Sequence, residues 1–306
     1  MNTDHSIHQL CIFARVIRNL EFKKVCGNTP LIRISDRLYA KLETYNPTGS
    51  IKDRMISYVV DEAINDGFIC DRTILCEATS GNSGISLAAI ATGLKLRCVI
   101  FMPSNMSEER KQMMRIYGAE IIETPPSDFE TAIKMRDEFL ASNQMSWSPM
   151  QFSNPKNIEC HQNHTAQEIA KELVSLNKKW SAFIHGSGTG GTIEGIRRHL
   201  RVNQKIDDNH TKVCMVVPEE SPHGIQGIGD GRDFLAKQKD MDGVIRVKTD
   251  AAINRAKSFI KESGLLIGIS SGANLVASEK WIAENDIDGI IVTMLCDRGE
   301  RYLTLY

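Results

Sequence analysis

Short apolar segments that alternate with helical patterns are the feature that most constrains the fold of this chain. Nearly every side chain is apolar in residues 97–102 and 289–295. Such runs are typical of strands that are buried on both faces, as in parallel sheets. Helical patterns lie between the apolar runs, for example at residues 85–92 and 107–117. The sequence therefore predicts an α/β fold in which helices cover both sides of a sheet.

The ends and faces of these two helices can also be predicted. Gly93 directly follows the first helix and is expected to end it, because glycine is common just beyond a helix C-terminus. Ser107 can cap the second helix. Arg110 and Lys111 are expected on the exposed side of that helix, since charged side chains usually face water.

The composition excludes several classes of function. The chain has 306 residues, enough for one large or two moderate domains, and a formal net charge of −1. That charge gives no general attraction to nucleic acid or anionic lipid. No apolar run approaches the roughly 20 residues that span a bilayer. The first residues lack the pattern of a signal peptide, so a cytoplasmic location is expected.

The eight cysteines are expected to be reduced thiols, most of them buried. No two of them have the C-x-x-C spacing of many metal sites. His161 and His164 lie close to Cys160 in the sequence, but the other ligands of a metal site are missing. We therefore predict no metal site.

Three segments rich in small residues indicate the chemistry. The first, residues 46–54, contains Lys52 at an apparent helix start. The second, residues 79–84, reads Thr-Ser-Gly-Asn-Ser-Gly and is named here the serine loop. The third, residues 186–192, reads Gly-Ser-Gly-Thr-Gly-Gly-Thr and is named the glycine loop. A lysine at a helix start, a loop that can wrap a carboxylate and a loop that can wrap a phosphate together fit pyridoxal phosphate held as a Schiff base.

Each segment has an alternative interpretation. Gly186, Gly188 and Gly191 match the G-x-G-x-x-G pattern of dinucleotide-binding enzymes, and Glu219 follows the next strand-like run. The glycine loop can also be a turn without a ligand, and the serine loop an ordinary helix cap. Lys52 can be a surface lysine, although a cation at a helix start opposes the helix dipole.

With two further segments, at residues 222–231 and 268–273, these motifs follow one another in a family order. The chain resembles the cysteine synthase (O-acetylserine sulfhydrylase) and cystathionine β-synthase family of fold-type II pyridoxal-phosphate enzymes. The resemblance runs from about residue 27 to residue 303. It implies a tryptophan synthase β-like fold of two three-layer α/β domains, with the cofactor in the cleft between them.

The resemblance also implies domain boundaries and an oligomeric state. A smaller, mobile domain that binds the substrate carboxylate would span residues 45–154. A larger domain that binds the cofactor phosphate would comprise residues 1–44 and 155–306. The enzyme would be a homodimer that acts on a small amino acid, with a thiol, sulfide, water or an amine as the nucleophile.

Single residues acquire roles from the same resemblance. Lys52 would form the Schiff base and take the substrate Cα proton. Asn82 would contact the 3′ oxygen of the cofactor, and Ser270 its pyridine nitrogen. The cofactor phosphate would be held by Gly188, Thr189, Gly190, Gly191 and Thr192. The substrate carboxylate would be bound by Thr79, Ser80, Gly81, Ser83 and Gln151.

A serine opposite the pyridine nitrogen directs the expected chemistry. A hydroxyl is too weak an acid to keep that nitrogen protonated, so the ring is a poorer electron sink and long-lived carbanions are disfavoured. Loss of a β leaving group, to give an aminoacrylate that a nucleophile then attacks, is the expected path. The first expectation is cysteine synthesis from O-acetyl-L-serine and sulfide.

Asp230 departs from the family pattern, because many cysteine synthases read Gly-Ile-Gly-Ala-Gly at residues 227–231. A carboxylate there would repel sulfide and could accept a proton from water or a thiol. One alternative is therefore a cysteine-consuming enzyme that releases hydrogen sulfide and forms L-serine or L-lanthionine, with Asp230 as the base. Others are an amine-adding synthase of the diaminopropionate type, and an Asp230 that is only a solvated loop residue.

Overall fold

The strands of the protein build two separate sheets. The computed structural model describes residues 21–203, 210–229, 231–286 and 288–306. In chain order the strands of these residues are β1 Leu31–Arg33, β2 Leu38–Leu42, β3 Ile74–Ala78, β4 Cys98–Pro103, β5 Glu120–Thr124, β6 Ser146–Trp147, β7 Trp180–Gly186, β8 Lys212–Pro218, β9 Gly243–Val247 and β10 Ile290–Leu295.

Helices connect most of the strands. The α-helices of the described residues are Glu21–Lys24, Lys52–Asn65, Asn82–Leu94, Glu108–Ile116, Phe129–Ser142, Lys156–Cys160, Ala166–Ser175, Gly191–Asn203, Thr249–Ser263 and Ile269–Glu284. Short 3₁₀ segments lie at Glu43–Tyr45, Gln238–Asp240 and Gly299–Leu305, and a π-helical turn at His161–Thr165. None of the described helices is long and apolar enough to cross a membrane.

The first of two compact units contains the four-stranded sheet. Its described residues are 21–26 and 52–150. The strand order is β5-β4-β3-β6, and every pair is parallel. All six residues of β4 are buried, as the apolar run at residues 97–102 predicts. Apolar side chains of the helices Lys52–Asn65 and Asn82–Leu94, among them Ile56 and Ile85, complete the core.

The second unit contains the six-stranded sheet and consists of the described residues in 27–51 and 151–306. The strand order is β1-β2-β10-β7-β8-β9, in which β1 alone is antiparallel to its neighbour. Strand β10 is buried throughout, as residues 289–295 predict. The predicted α/β fold with parallel, helix-covered strands is confirmed, while the domain boundaries at residues 45 and 154 stay a prediction.

The predicted end of one helix is wrong. Gly93 lies inside the helix Asn82–Leu94, which ends at the next residues. Lys95 takes a left-handed φ of 59°, and its N–H is donated to the carbonyls of Ala91 and Thr92. The turn that ends the helix therefore forms two residues later than a glycine stop would place it.

The predicted exposure of Arg110 and Lys111 is also wrong, because both are buried. The ammonium of Lys111 is paired with the carboxylates of Glu108 and Glu123, at 2.9 and 3.1 Å. It also donates to the carbonyl of Ser104. These partners offset the cost of removing the charge from water, which the helical pattern alone cannot show.

Candidate active site

Lys52 is the first residue of the helix Lys52–Asn65, as the sequence predicts, and its side chain is partly buried. The residue that follows it, Asp53, is fully buried. Ser86 Oγ donates to Asp53 Oδ1 over 2.5 Å. Because Ser86 belongs to the helix that starts at Asn82, this bond holds the start of one helix against the first turns of the other.

The serine loop follows the carboxyl end of β3 and leads into the helix Asn82–Leu94. The N–H of Thr79 donates to the carbonyl of Phe101, and the N–H of Gly81 to Thr79 Oγ1, both over 3.0 Å. Gly81 has a φ of 152°, and a Cβ atom there would lie 2.2 Å from Cδ of Arg110. The backbone of the loop therefore passes so close to the arginine side chain that a residue with a Cβ atom would collide with it.

The hydroxyls of the serine loop differ in exposure. Thr79 and Ser83 are buried, whereas Ser80 is exposed. The predicted carboxylate-binding residues of this loop lie within one turn of chain at the start of the helix Asn82–Leu94. The N–H groups of a helix N-terminus suit an anion. Gln151, the remaining member of that set, is buried and belongs to the second unit.

The glycine loop joins β7 to the helix Gly191–Asn203. A Cβ atom at Gly188 would lie 2.6 Å from the carbonyl oxygen of Gly227. One at Gly190, where φ is 85°, would lie 2.5 Å from the backbone nitrogen of Ala236. These close approaches leave a cradle of backbone N–H groups at a helix N-terminus, which suits a phosphate group.

Two side chains that the sequence did not predict support the glycine loop. The Asn157 amide donates to Thr189 Oγ1 at 3.1 Å and to the carbonyl of Gln151 at 2.9 Å. His161 Nε2 lies 3.2 Å from Thr192 Oγ1. Neither residue belongs to a motif, because the glycine-loop residues that they contact lie more than 30 positions further along the chain. Asn157 thus links the predicted carboxylate-binding residue Gln151 to the predicted phosphate loop.

Ser270 lies in the first turn of the helix Ile269–Glu284 and is buried. Gly227 lies between this serine and the glycine loop, because its carbonyl approaches Gly188 and a Cβ atom on it would lie 3.3 Å from Ser270 Oγ. The structure therefore brings the predicted phosphate loop and the predicted partner of the pyridine nitrogen together within the second unit.

One ionised side chain lies in the first turn of the helix after the glycine loop. Burial would raise the pKa of Glu194, but hydrogen bonds from Arg197 and Arg198, at 2.8 and 2.7 Å, outweigh burial and hold that pKa below its ordinary value. A carboxylate at a helix N-terminus is also favoured by the helix dipole.

Three further predictions concern Asp230, metal binding and the cysteines. Asp230 lies outside the described residues, whereas its neighbour Gly229 donates its N–H to the carbonyl of Ser187 in the glycine loop. Within the described ranges, no group of three or more His, Cys, Asp or Glu is placed to hold a metal ion. Of the seven cysteines there, five are buried and none forms a disulfide.

Comparison with known proteins places this geometry in context. The family described as "Pyridoxal-phosphate dependent enzyme" matches residues 23–297. Cysteine synthase B of Campylobacter jejuni is 38% identical over 295 residues, which are 92% of this chain and 96% of that protein.

Two solved structures extend the comparison. One is a hydrogen sulfide-producing enzyme of Fusobacterium nucleatum, in an aspartate-to-asparagine variant that contains an α-aminoacrylate intermediate. It has a TM-score of 0.87 and 34% identity to this chain, and the match covers 94% of this chain and 91% of that one. The other is the O-acetylserine-dependent cystathionine β-synthase of Helicobacter pylori, with a TM-score of 0.86 and 32% identity, over 92% of this chain and 96% of that one.

Proposed function

This chain belongs to the family of pyridoxal-phosphate-dependent enzymes, and we propose that it catalyses β-replacement on an L-serine or L-cysteine derivative. The proposed reaction is the synthesis of L-cysteine from O-acetyl-L-serine and sulfide. The observation that carries this proposal is the buried Ser270 hydroxyl, which lies beside Gly227 and thus next to the glycine loop. The cysteine synthase and O-acetylserine-dependent relatives support the choice of substrate.

The described residues fit the cofactor. The glycine loop would hold its phosphate, Ser270 its pyridine nitrogen, Asn82 its 3′ oxygen and Lys52 its aldehyde carbon. When bound, pyridoxal phosphate supplies an electron sink for reactions at the substrate Cα. The N–H groups and hydroxyls of the serine loop, with Gln151, would bind the substrate carboxylate and orient the Cα–H bond.

Two protein groups would then decide the course of the reaction. Lys52 Nζ would take the proton from the substrate Cα. The Ser270 hydroxyl is too weak an acid to protonate the pyridine nitrogen. Negative charge at Cα would therefore be short-lived. The leaving group on Cβ would depart faster than Cα could be reprotonated.

A second candidate function is the consumption of cysteine with release of hydrogen sulfide. The presence of Asp230 in the Gly-Ile-Gly-Asp-Gly sequence favours it, because a carboxylate could accept a proton from water or a second thiol and would repel sulfide. The similarity to a hydrogen sulfide-producing enzyme, in a variant with one aspartate replaced by asparagine, also supports it.

The proposal extends to assembly and location. We propose that the enzyme is a homodimer in the cytoplasm and that residues 45–154 form its substrate-binding domain. Analytical ultracentrifugation of the purified protein tests the first point, since a monomer at micromolar concentration would contradict it. Limited proteolysis near residues 45 and 154, with and without substrate, tests the boundaries.

An absorbance titration of the purified protein tests the function. We expect a yellow protein that borohydride bleaches, a red-shifted band on addition of O-acetyl-L-serine, and loss of that band when sulfide is added. The K52A variant should lose both the yellow colour and turnover. A colourless wild-type protein would contradict both candidate functions.

The same titration with L-cysteine separates the candidates. Release of sulfide from cysteine, with little response to O-acetyl-L-serine, would replace the first candidate with the second. In that case D230N should abolish steady-state sulfide release and leave at most about one equivalent per active site, because elimination precedes the step in which Asp230 would accept a proton. D233N, three residues further in the same segment, should retain steady-state release. Equal sulfide release by D230N and the wild type would remove Asp230 from the reaction.

A further inference from the structure

Asn274 lies one turn after Ser270 on the helix Ile269–Glu284, and no part of it is exposed. Its side chain is an uncharged amide in the interior of the second unit. A buried amide must find partners for its oxygen and both hydrogens, because each unmade hydrogen bond there is costly. The partners of Asn274 lie in two other segments of the chain.

The hydrogen bonds of Asn274 fix the orientation of its amide. Its Oδ1 accepts from the N–H of Gly186 over 2.8 Å, and its Nδ2 donates to the carbonyl of Met294 over 2.9 Å. Exchange of the two amide ends would place two donors together at Gly186 and two acceptors together at Met294. Nδ2 also lies 3.2 Å from His185 Nδ1 and 3.5 Å from Cys296 Sγ.

These bonds tie together three elements that meet at the proposed cofactor site. Gly186 is the first residue of the glycine loop, and Met294 lies near the end of β10. A second bond, from the N–H of Cys296 to Ser271 Oγ at 2.9 Å, joins the same helix to the chain just after β10. The helix that carries Ser270 is thus attached to the start of the glycine loop through the Asn274 amide.

Gly186 is closely packed on the side where a Cβ atom would lie. A Cβ atom there would lie 2.5 Å from Cδ1 of Ile228 and 3.3 Å from Asn274 Oδ1. Gly186 is therefore packed closely against both the isoleucine and the asparagine. In a close-packed interior, loss of the amide would remove a polar attachment of Gly186 to the helix.

We propose that Asn274 is a positioning residue that fixes the separation between the glycine loop and Ser270, and thereby determines how tightly the enzyme retains pyridoxal phosphate. The proposal rests on the roles given above to the glycine loop and Ser270. The phosphate and the pyridine nitrogen are attached to one rigid ring, so the groups that bind them must keep a single separation. A tie that sets this separation before binding lowers the cost of binding.

The rate of cofactor release from the holoenzyme tests the proposal. We would compare N274A with S278A, since Ser278 is equally buried one turn further on the same helix and donates to the carbonyl of Asn274 over 2.7 Å. S278A removes a buried hydrogen bond of this helix without touching the glycine loop. Release is followed by dialysis of the holoenzyme against cofactor-free buffer, in which the visible absorbance that stays with the protein is read at intervals. The melting temperature of each variant is measured alongside.

We expect N274A to release the cofactor about tenfold faster than the wild type, because two buried backbone groups lose their partner. S278A should lower the melting temperature but leave the release rate within about twofold of the wild type. The visible absorbance maximum of N274A should also move. If Asn274 had a purely structural role, the rate of cofactor release would change by the same factor in N274A and S278A. That result would overturn the proposal.

Two further variants keep the test decisive if N274A is not soluble. N274D retains an acceptor for Gly186 but places an oxygen against the carbonyl of Met294, and N274S is too short to reach either group. Both should release cofactor faster than S278A does. Release at the wild-type rate by either soluble variant would contradict the proposal, whereas a wild type that binds no cofactor would contradict the proposed function instead.

Discussion

The serine loop and the glycine loop have the same position in their units but are enclosed by different kinds of neighbour. Each follows a parallel strand and begins a helix, and each contains a glycine that no other residue can replace without collision. At Gly81 the neighbour is the side chain of Arg110. At Gly188 and Gly190 the neighbours include backbone atoms of Gly227 and Ala236.

This difference separates an adjustable loop from a rigid one. A side chain can change rotamer at a modest cost, whereas a backbone nitrogen or carbonyl moves only with its whole segment. The middle of the glycine loop, at Gly188 and Gly190, is therefore preformed for one ligand, as a tightly held cofactor requires. The serine loop can adapt, as suits a site that must admit and release an amino acid at each turnover.

The largest effect is expected for G190A. A Cβ atom there collides with the backbone nitrogen of Ala236 and occupies a left-handed φ, so we expect a loss of about 3 kcal/mol in loop stability and a fall of roughly 100-fold in cofactor affinity. Equilibrium dialysis of pyridoxal phosphate measures the affinity. The A236G substitution should not rescue it, because the backbone nitrogen remains.

The control for this experiment is G118A. Gly118 also has a left-handed φ, of 77°, but a Cβ atom there has no neighbour within 4 Å. We expect G118A to lower the free energy of unfolding by about 1 kcal/mol and to leave cofactor affinity unchanged. If G190A affected affinity no more than G118A does, backbone packing would not distinguish the glycine loop.

A somewhat smaller effect, and one that can be partly reversed, is expected for G81A. The new Cβ collides with Arg110, so the serine loop must shift, and we expect kcat/KM for the amino-acid substrate to fall roughly 30-fold with cofactor affinity unchanged. In the double variant G81A/R110A the collision is gone, and we expect about tenfold of kcat/KM to return. Steady-state kinetics of the two single variants and the double variant give the coupling.

The strained φ of Gly81 remains in the double variant, so recovery should be incomplete. R110A alone provides the reference for any effect of the arginine itself. A double variant no more active than G81A would mean that the serine loop is as rigid as the glycine loop, and the contrast between the two would be lost.

The two loops also show what the sequence could predict. Alternation of apolar runs and helical patterns correctly placed β4 and β10, and residues 46–54 correctly placed the helix start at Lys52, because these features depend on neighbouring residues. The burial of Arg110 was not predicted, since helical polarity assumes that charged side chains face water. The space beside Gly81 that the arginine fills is formed by residues almost 30 positions away.

The supporting amides were missed for the same physical reason. Asn157 and Asn274 reach partners 32 and 88 positions away in sequence. An asparagine on a helix has no local signature that distinguishes a surface side chain from a buried tie. The residues proposed to touch the ligand could be predicted because they lie in glycine-rich and hydroxyl-rich loops, whereas the residues that hold those loops in place required the fold.

The smallest effect concerns the charges at the two helix starts. The helix after the serine loop has no acidic residue in its first turn, whereas the helix after the glycine loop has Glu194, whose pKa is held below the ordinary 4.5 despite burial by hydrogen bonds from Arg197 and Arg198. A group whose pKa is lowered on folding contributes stability above its unfolded-state pKa and loses it as the pH falls through the folded-state value.

We therefore expect E194Q to be less stable than the wild type by about 1 kcal/mol at pH 7, with the difference shrinking as the pH falls below 4.5. Urea unfolding of the holoenzyme between pH 7 and the acid limit of solubility measures it. E279Q, which removes an exposed carboxylate from its pair with Arg255, is the control and should show little difference at any pH. If the difference in the free energy of unfolding between E194Q and the wild type stayed constant as the pH fell, Glu194 would act through packing. The charge at its helix start would then not distinguish the two loops.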